Sequence, residues 1–63
     1  MEKEKLLKVG EVAEILGVTE QSIYRMVKEK RIINLKLSNK ILRFRESDII
    51  DFIRNSVRAA KSI

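Results

Sequence analysis

The stretch EVAEILGVTEQSIYRMVK, residues 11–28, contains two short helical patterns separated by a turn. In its first part, Val12, Ile15 and Leu16 recur at the spacing that places apolar side chains on one face of a helix. Gly17 follows them as a stop signal, because glycine adopts the left-handed conformation just past a helix without a steric penalty. We therefore expect a helix of barely two turns that opens the stretch and ends before this glycine.

The second part of the stretch predicts another helix, from about Glu20 to Glu29. Thr19 precedes it as a suitable N-cap, because its hydroxyl can accept a hydrogen bond from an unpaired amide of the first turn. Ile23, Met26 and Val27 share one side and are expected to face the first helix. The opposite side is polar and consists of Gln21, Tyr24, Arg25 and Lys28. Two short helices joined by so tight a turn indicate a helix-turn-helix.

Two segments of alternating hydrophobicity follow and predict a β-hairpin. They are Leu35–Leu37 and Leu42–Arg45, and Ser38–Lys40 between them supplies the turn residues. Four apolar side chains are expected to point inward and three basic ones outward: Leu35, Leu37, Leu42 and Phe44 in the first group, Lys36, Arg43 and Arg45 in the second. Phe44 is thus expected in the core rather than on a base-stacking surface.

The remaining segments predict a short strand before the first helix and a third helix after the hairpin. Leu6–Val9 is a short apolar segment that suits a strand stub. The last helix is expected to start at a cap formed by Glu46 or Ser47. Its apolar stripe comprises Ile49, Phe52 and Ile53, continued by Val57 and Ala60.

These elements predict a fold that is mainly α with a small β-hairpin. The arrangement expected is a winged helix-turn-helix with three helices and a short antiparallel sheet. We expect a flexible tail at residues 1–5, one domain at residues 6–54, and a helical extension or tail at residues 55–63.

The basic residues are concentrated in one third of the chain. Residues 25–45 hold eight of the 14 lysines and arginines and a single acid, in a chain whose net charge is +5. Such a patch is the electrostatic footprint of a surface that binds a polyanion. Because the patch starts inside the second helix of the helix-turn-helix, the sequence predicts nucleic-acid binding.

The polar side of the second helix suits the major groove of duplex DNA. Gln21 and Arg25 can bond base edges there, where each base pair presents its own pattern of donors and acceptors. Tyr24 can bond a phosphate, and Thr19 and Ser22 can reach phosphates at the start of the helix. The hairpin is expected to act as a wing on the backbone or in a minor groove. The predicted DNA-binding residues are Thr19, Gln21, Ser22, Tyr24, Arg25, Lys28, Lys36, Lys40, Arg43 and Arg45.

Composition argues against several other classes of protein. The chain has no cysteine and no histidine, so it lacks thiolate metal ligands, disulfides and the commonest general base. Its two glycines cannot form a glycine-rich phosphate loop. We therefore expect no enzyme activity, catalytic residue, cofactor or metal. No apolar run approaches the ~20 residues that cross a bilayer, and no signal-peptide pattern is visible. We expect a cytoplasmic protein with no membrane partner.

Three motifs in this order resemble the excisionase-type, MerR-like winged helix-turn-helix DNA-binding domains. They are LLKVGEVAEILGVT at residues 6–19, SIYRMV at residues 22–27 and RFRESDI at residues 43–49. The chain departs from the family pattern at three positions. Lys30 stands where glycine is usual, Ile33 where proline is common, and Leu42 where tryptophan is frequent.

The resemblance implies that the second helix enters the major groove and that the hairpin is a wing. Gln21, Tyr24, Arg25 and Lys28 correspond to the family's recognition face, and Arg43 to its outward basic wing residue. Small members of the family are often excisionases, which bend DNA and help an integrase. The resemblance therefore implies further partners, namely an integrase or recombinase, or neighbouring copies of the protein. Other members are small transcriptional regulators. A different class also stays open, a protein-interaction module whose basic face binds an acidic partner.

Overall fold

The structure is a computed structural model that describes residues 4–57. Three helices and three short strands follow one another along the chain: β1 (Leu6–Leu7), α1 (Val9–Leu16), α2 (Glu20–Lys28), β2 (Leu35–Ser38), β3 (Ile41–Arg45) and α3 (Glu46–Ser56). The strands form an antiparallel sheet in the order β1-β3-β2. This architecture confirms the predicted winged helix-turn-helix. Within the described residues, no helix is long and apolar enough to cross a membrane.

Helix α1 starts two residues earlier than predicted, and this changes its buried face. The Lys8 amide donates to the Glu11 carboxylate at 2.8 Å, which stabilises a first turn beginning at Val9. Counted from that start, the positions at i, i+3, i+4 and i+7 are Val9, Val12, Ala13 and Leu16, and all four pack in or against the core. Ile15 lies outside this stripe and is 51% exposed, so its predicted burial was wrong.

Helix α2 has the predicted start and the predicted buried side. Thr19 Oγ1 accepts a hydrogen bond from the Ser22 amide at 3.1 Å, as expected of an N-cap. Ile23 is fully buried, and Met26 and Val27 pack against the same core. Before this helix, Gly17 adopts a φ of 70°, so the predicted left-handed stop of α1 is confirmed.

Helix α2 ends in a left-handed residue that is not glycine. Lys30 has a φ of 59°, the position where the sequence departs from the family's usual glycine. The Lys30 amide donates to the Val27 carbonyl at 3.0 Å and the Arg31 amide to the Met26 carbonyl at 2.9 Å. This pair of bonds is the Schellman arrangement, in which the first residue after the helix cap is left-handed. Here that residue is Lys30.

The hairpin contains an irregularity that the alternation did not predict. Lys36 pairs with Leu42 and Ser38 with Ile41, so β2 carries one extra residue, Leu37, against β3. Such a bulge can re-aim a side chain, and Leu37 is 57% exposed instead of pointing inward as predicted. Residues opposite each other in an antiparallel pair share a face, so Lys36 shares its face with Leu42.

The other strand assignments follow from the same register. Leu35 lies opposite Arg43 and both are half-buried, so these two side chains do not lie on opposite faces as predicted. Lys36 is exposed, as predicted. In β3, Leu42 packs against the core and Phe44 is fully buried, as predicted. The predicted outward position holds for Arg45, which is exposed, but Arg43 is half-buried.

The core joins the helices to one side of the sheet. Its buried residues come from every helix, from two strands and from the loop after α2: Leu7, Val9, Val12, Ala13, Ile23, Ile32, Phe44 and Ile49. Phe52 packs against this cluster, while Ile53 is 40% exposed and contributes less than predicted. Val57 lies past the end of α3 and is exposed, and Ala60 falls outside the described residues.

Helix α3 is capped by the start of the chain rather than by its own side chains. Its N-cap is Arg45, which makes no capping side-chain bond, so the predicted Glu46 or Ser47 cap was wrong. Instead, the Glu4 carboxylate accepts from the Ser47 amide at 2.9 Å and from the Ser47 hydroxyl. The Lys5 carbonyl accepts from the Glu46 amide at 3.2 Å. Glu4 and Lys5, which belong to the predicted flexible tail, thus contact α3.

Candidate nucleic-acid interface

The outer face of α2 is a continuous polar strip. Gln21, Tyr24, Arg25 and Lys28 are all exposed, and Tyr24 has 54% of its surface accessible. Among residues 4–57, no hydrogen bond or ion pair engages these four side chains. The strip is available to a partner because Ile23 on the opposite side anchors the helix to the core.

A cleft of about 460 Å³ separates α2 from the hairpin. On the α2 side it is bounded by Glu20, Tyr24 and Val27, and on the hairpin side by the turn, two of the four residues of β2 and three of the five residues of β3. Four cationic side chains line it: Lys8, Lys36, Lys40 and Arg43. Bringing four positive charges around one cleft produces a local potential that attracts an anion.

Two of these cations owe their place to the tertiary structure. Lys36 faces the cleft because the register puts it on the same side as Leu42. Lys8 reaches the cleft because the preceding strand, β1, pairs with β3 and so lies beside the hairpin. Sequence reasoning missed Lys8, and its only sequence signal was a basic residue immediately before α1.

The cleft also contains one carboxylate. Glu20 lines it, and its Oε2 lies 3.0 Å from where a Cβ on Gly10 would stand. The carboxylate therefore packs over the first turn of α1, where the helix dipole favours a negative charge. Glycine at residue 10 permits this close approach.

Several of the predicted side chains already make hydrogen bonds or ion pairs within the domain. The hydroxyls of Thr19 and Ser22 lie 3.0 Å apart at the start of α2, where Thr19 Oγ1 already serves as the cap. Arg43 donates from its guanidinium to the Leu42 carbonyl at 2.9 Å, which fixes its direction. Arg45 lies 3.8 Å from Asp48 Oδ2, as an ion pair at the start of α3. Of the ten predicted residues, the cleft brings together Tyr24, Lys36, Lys40 and Arg43.

Comparison with known protein families settles the class of the domain. The profile described as a helix-turn-helix domain matches residues 6–56, most of the chain. The chain belongs to this family. It is an excisionase-type helix-turn-helix domain, and membership in this family supports DNA binding, with DNA as the partner. Such domains are typically not enzymes. No curated protein and no solved structure matches the chain.

Proposed function

We propose that this protein binds duplex DNA sequence-specifically, with α2 in the major groove and the hairpin as a wing. The observation that supports this best is the position of two surfaces side by side. The exposed strip on α2 and the four-cation cleft adjoin at Tyr24, which belongs to both. A helix of α2's width fits the major groove, and a phosphate strand that borders the groove would then lie in the cleft.

In this binding mode the α2 strip contacts the bases and the cleft contacts the phosphates. Gln21 and Arg25 lie one turn apart on the strip and can bond base edges, which carry the sequence information. Lys36 and Lys40 in the cleft neutralise phosphates, which supplies affinity without sequence preference. Arg25 is therefore the first candidate for a specificity contact.

The biological role proposed is that of an excisionase-like recombination directionality factor. It is supported by the excisionase type of the domain. One small domain makes few base contacts, and each mismatched base pair costs only about 1–3 kcal/mol, so useful specificity needs neighbouring copies or a recombinase. The competing role is a small transcriptional regulator with the same binding mode. An integrase gene beside this gene and stimulated excision in a reconstituted reaction would favour the first role. Repression of a promoter without any effect on excision would favour the second.

The test of DNA binding is a fluorescence-anisotropy titration of a labelled mixed-sequence duplex at several salt concentrations. Each phosphate neutralised is expected to contribute about −0.9 to the slope of log K against log salt. A slope of several units supports the proposal. Absence of binding at low salt would contradict it and favour the acidic-protein partner instead.

Arg25→Ala tests the specificity contact within the same assay. On duplexes selected from a random pool, the variant is expected to bind more weakly and to lose its preference at one base pair, at a cost of about 1–3 kcal/mol. Arg54→Ala is the matched control, because Arg54 is an exposed arginine on α3 outside the cleft. An equal loss on every sequence would instead identify Arg25 as a phosphate contact.

A further inference from the structure

The wing carries an exposed leucine where a core residue was predicted. Leu37 occupies the bulge of β2 and is 57% exposed. Its neighbour across the turn, Ile41, is also 41% exposed. An extra residue in a strand can re-aim a side chain, and bulges are common next to functional sites. The hairpin therefore presents apolar side chains beside its lysines.

Leu37 is exposed outside the cleft. The cleft is lined by its neighbours Lys36 and Ser38 but not by Leu37. If a phosphate strand occupies the cleft next to α2, the far side of the hairpin meets what lies beyond that strand. Next to the major groove, across one backbone, lies the minor groove.

We propose that Leu37 is a wedge that enters the minor groove and opens a base step, so that the protein kinks its DNA. This inference rests on the proposed DNA-binding function and adds the residue that deforms the duplex. Apolar wedges of this kind unstack one step and bend DNA by about 20–90°. Lys36 and Lys40, which line the cleft, supply the positive charge that holds the hairpin against the phosphate strand between the two grooves.

The wedge also predicts which kind of base step is kinked. Pyrimidine–purine steps such as TA and CA are the easiest to kink. Sites selected by this protein should therefore contain such a step opposite the wing, at a position that no polar side chain reads. Changing that step is expected to weaken binding without altering the contacts of Arg25.

The experiment uses the full chain on a selected duplex labelled in two ways. End labels report the bend by energy transfer, and a fluorescent adenine analogue at the flexible step reports unstacking. Leu37→Ala is expected to keep the salt slope, to reduce the bend by at least about 20°, and to abolish the unstacking signal. Leu37→Met is expected to retain both signals, because methionine is also used as a wedge.

The controls separate this proposal from the one on which it rests. Ile33→Ala removes another exposed aliphatic side chain, 64% exposed and outside the hairpin, and should leave bend and unstacking unchanged. Thermal unfolding verifies that each variant is folded. A wild-type protein that binds with a steep salt slope but neither bends nor unstacks the duplex overturns the wedge and leaves DNA binding intact. Equal bending by wild type and Leu37→Ala also overturns it, whereas no binding at all overturns both proposals.

Discussion

The left-handed residue at the end of α2 predicts a stabilising substitution, Lys30→Gly. Lys30 holds a φ of 59°, a conformation that costs a residue with a side chain roughly 1–2 kcal/mol. Glycine avoids this cost, but it loses more backbone entropy on folding, which offsets about 0.5–1 kcal/mol. The expected net gain is about 0.5–1 kcal/mol. In a domain of this size, that corresponds to a rise in melting temperature of about 2–8 °C.

The assay is thermal unfolding followed by circular dichroism, repeated with urea at fixed ionic strength. Lys30→Ala is the matched variant, since it removes the same charge and keeps the strained conformation. If alanine raises the melting temperature as much as glycine, the gain comes from charge and the reasoning about backbone strain is refuted. It is equally refuted if Lys30→Gly melts at or below the wild-type temperature.

Gly17 provides the reverse experiment at the end of α1. Its φ is 70°, and a Cβ there would meet no atom within 4 Å. Gly17→Ala therefore adds backbone strain without a clash and is expected to destabilise the domain by about 1 kcal/mol. Opposite signs at the two positions would tie both effects to the left-handed conformation.

Two further predictions concern the cap of α3 and the cleft. The hydrogen bonds from the hydroxyl and then the amide of Ser47 lower the pKa of Glu4 below its ordinary value. A lowered pKa contributes stability at and above the ordinary carboxyl pKa, and this is lost as the pH falls through the folded value. Glu4→Gln should therefore melt below the wild type at neutral pH, and a pH series of melting curves should converge in acid; a constant gap would contradict the cap. Lys36→Ala should reduce the salt slope of DNA binding by about one unit, while Arg54→Ala leaves it unchanged. An unaltered slope for Lys36→Ala would remove Lys36 from the phosphate contacts.

The helix-turn-helix was predictable because its signals are local. A glycine after one apolar stripe and a threonine before the next fix where α1 ends and α2 begins, and the spacing of Ile23, Met26 and Val27 fixes which side is buried. With one side of α2 buried, the exposure of Gln21, Tyr24, Arg25 and Lys28 follows from helical periodicity alone. The same local pattern carried the family resemblance.

The hairpin was less predictable, since alternation fixes faces only while the register is regular. One extra residue at Leu37 changes which side chains of β2 face the core. No local signal distinguishes a leucine that points inward from one that a bulge turns outward. The start of α1 was also misplaced, because an apolar Val9 suits a strand end and a helix start equally well.

The sequence by itself determined the order of the elements, the exposed polar side of α2 and the basic character of the region that follows. Only the tertiary structure decided which cations share a cleft, because Lys8 joins Lys36 and Lys40 through the pairing of β1 with β3. It also decided how α3 is capped, since Glu4 and Ser47 are 43 residues apart in the chain. The physical reason is the same in both cases. Helical and strand periodicity depends on residues that are near in sequence, whereas contacts between distant segments form only when the strands and helices pack.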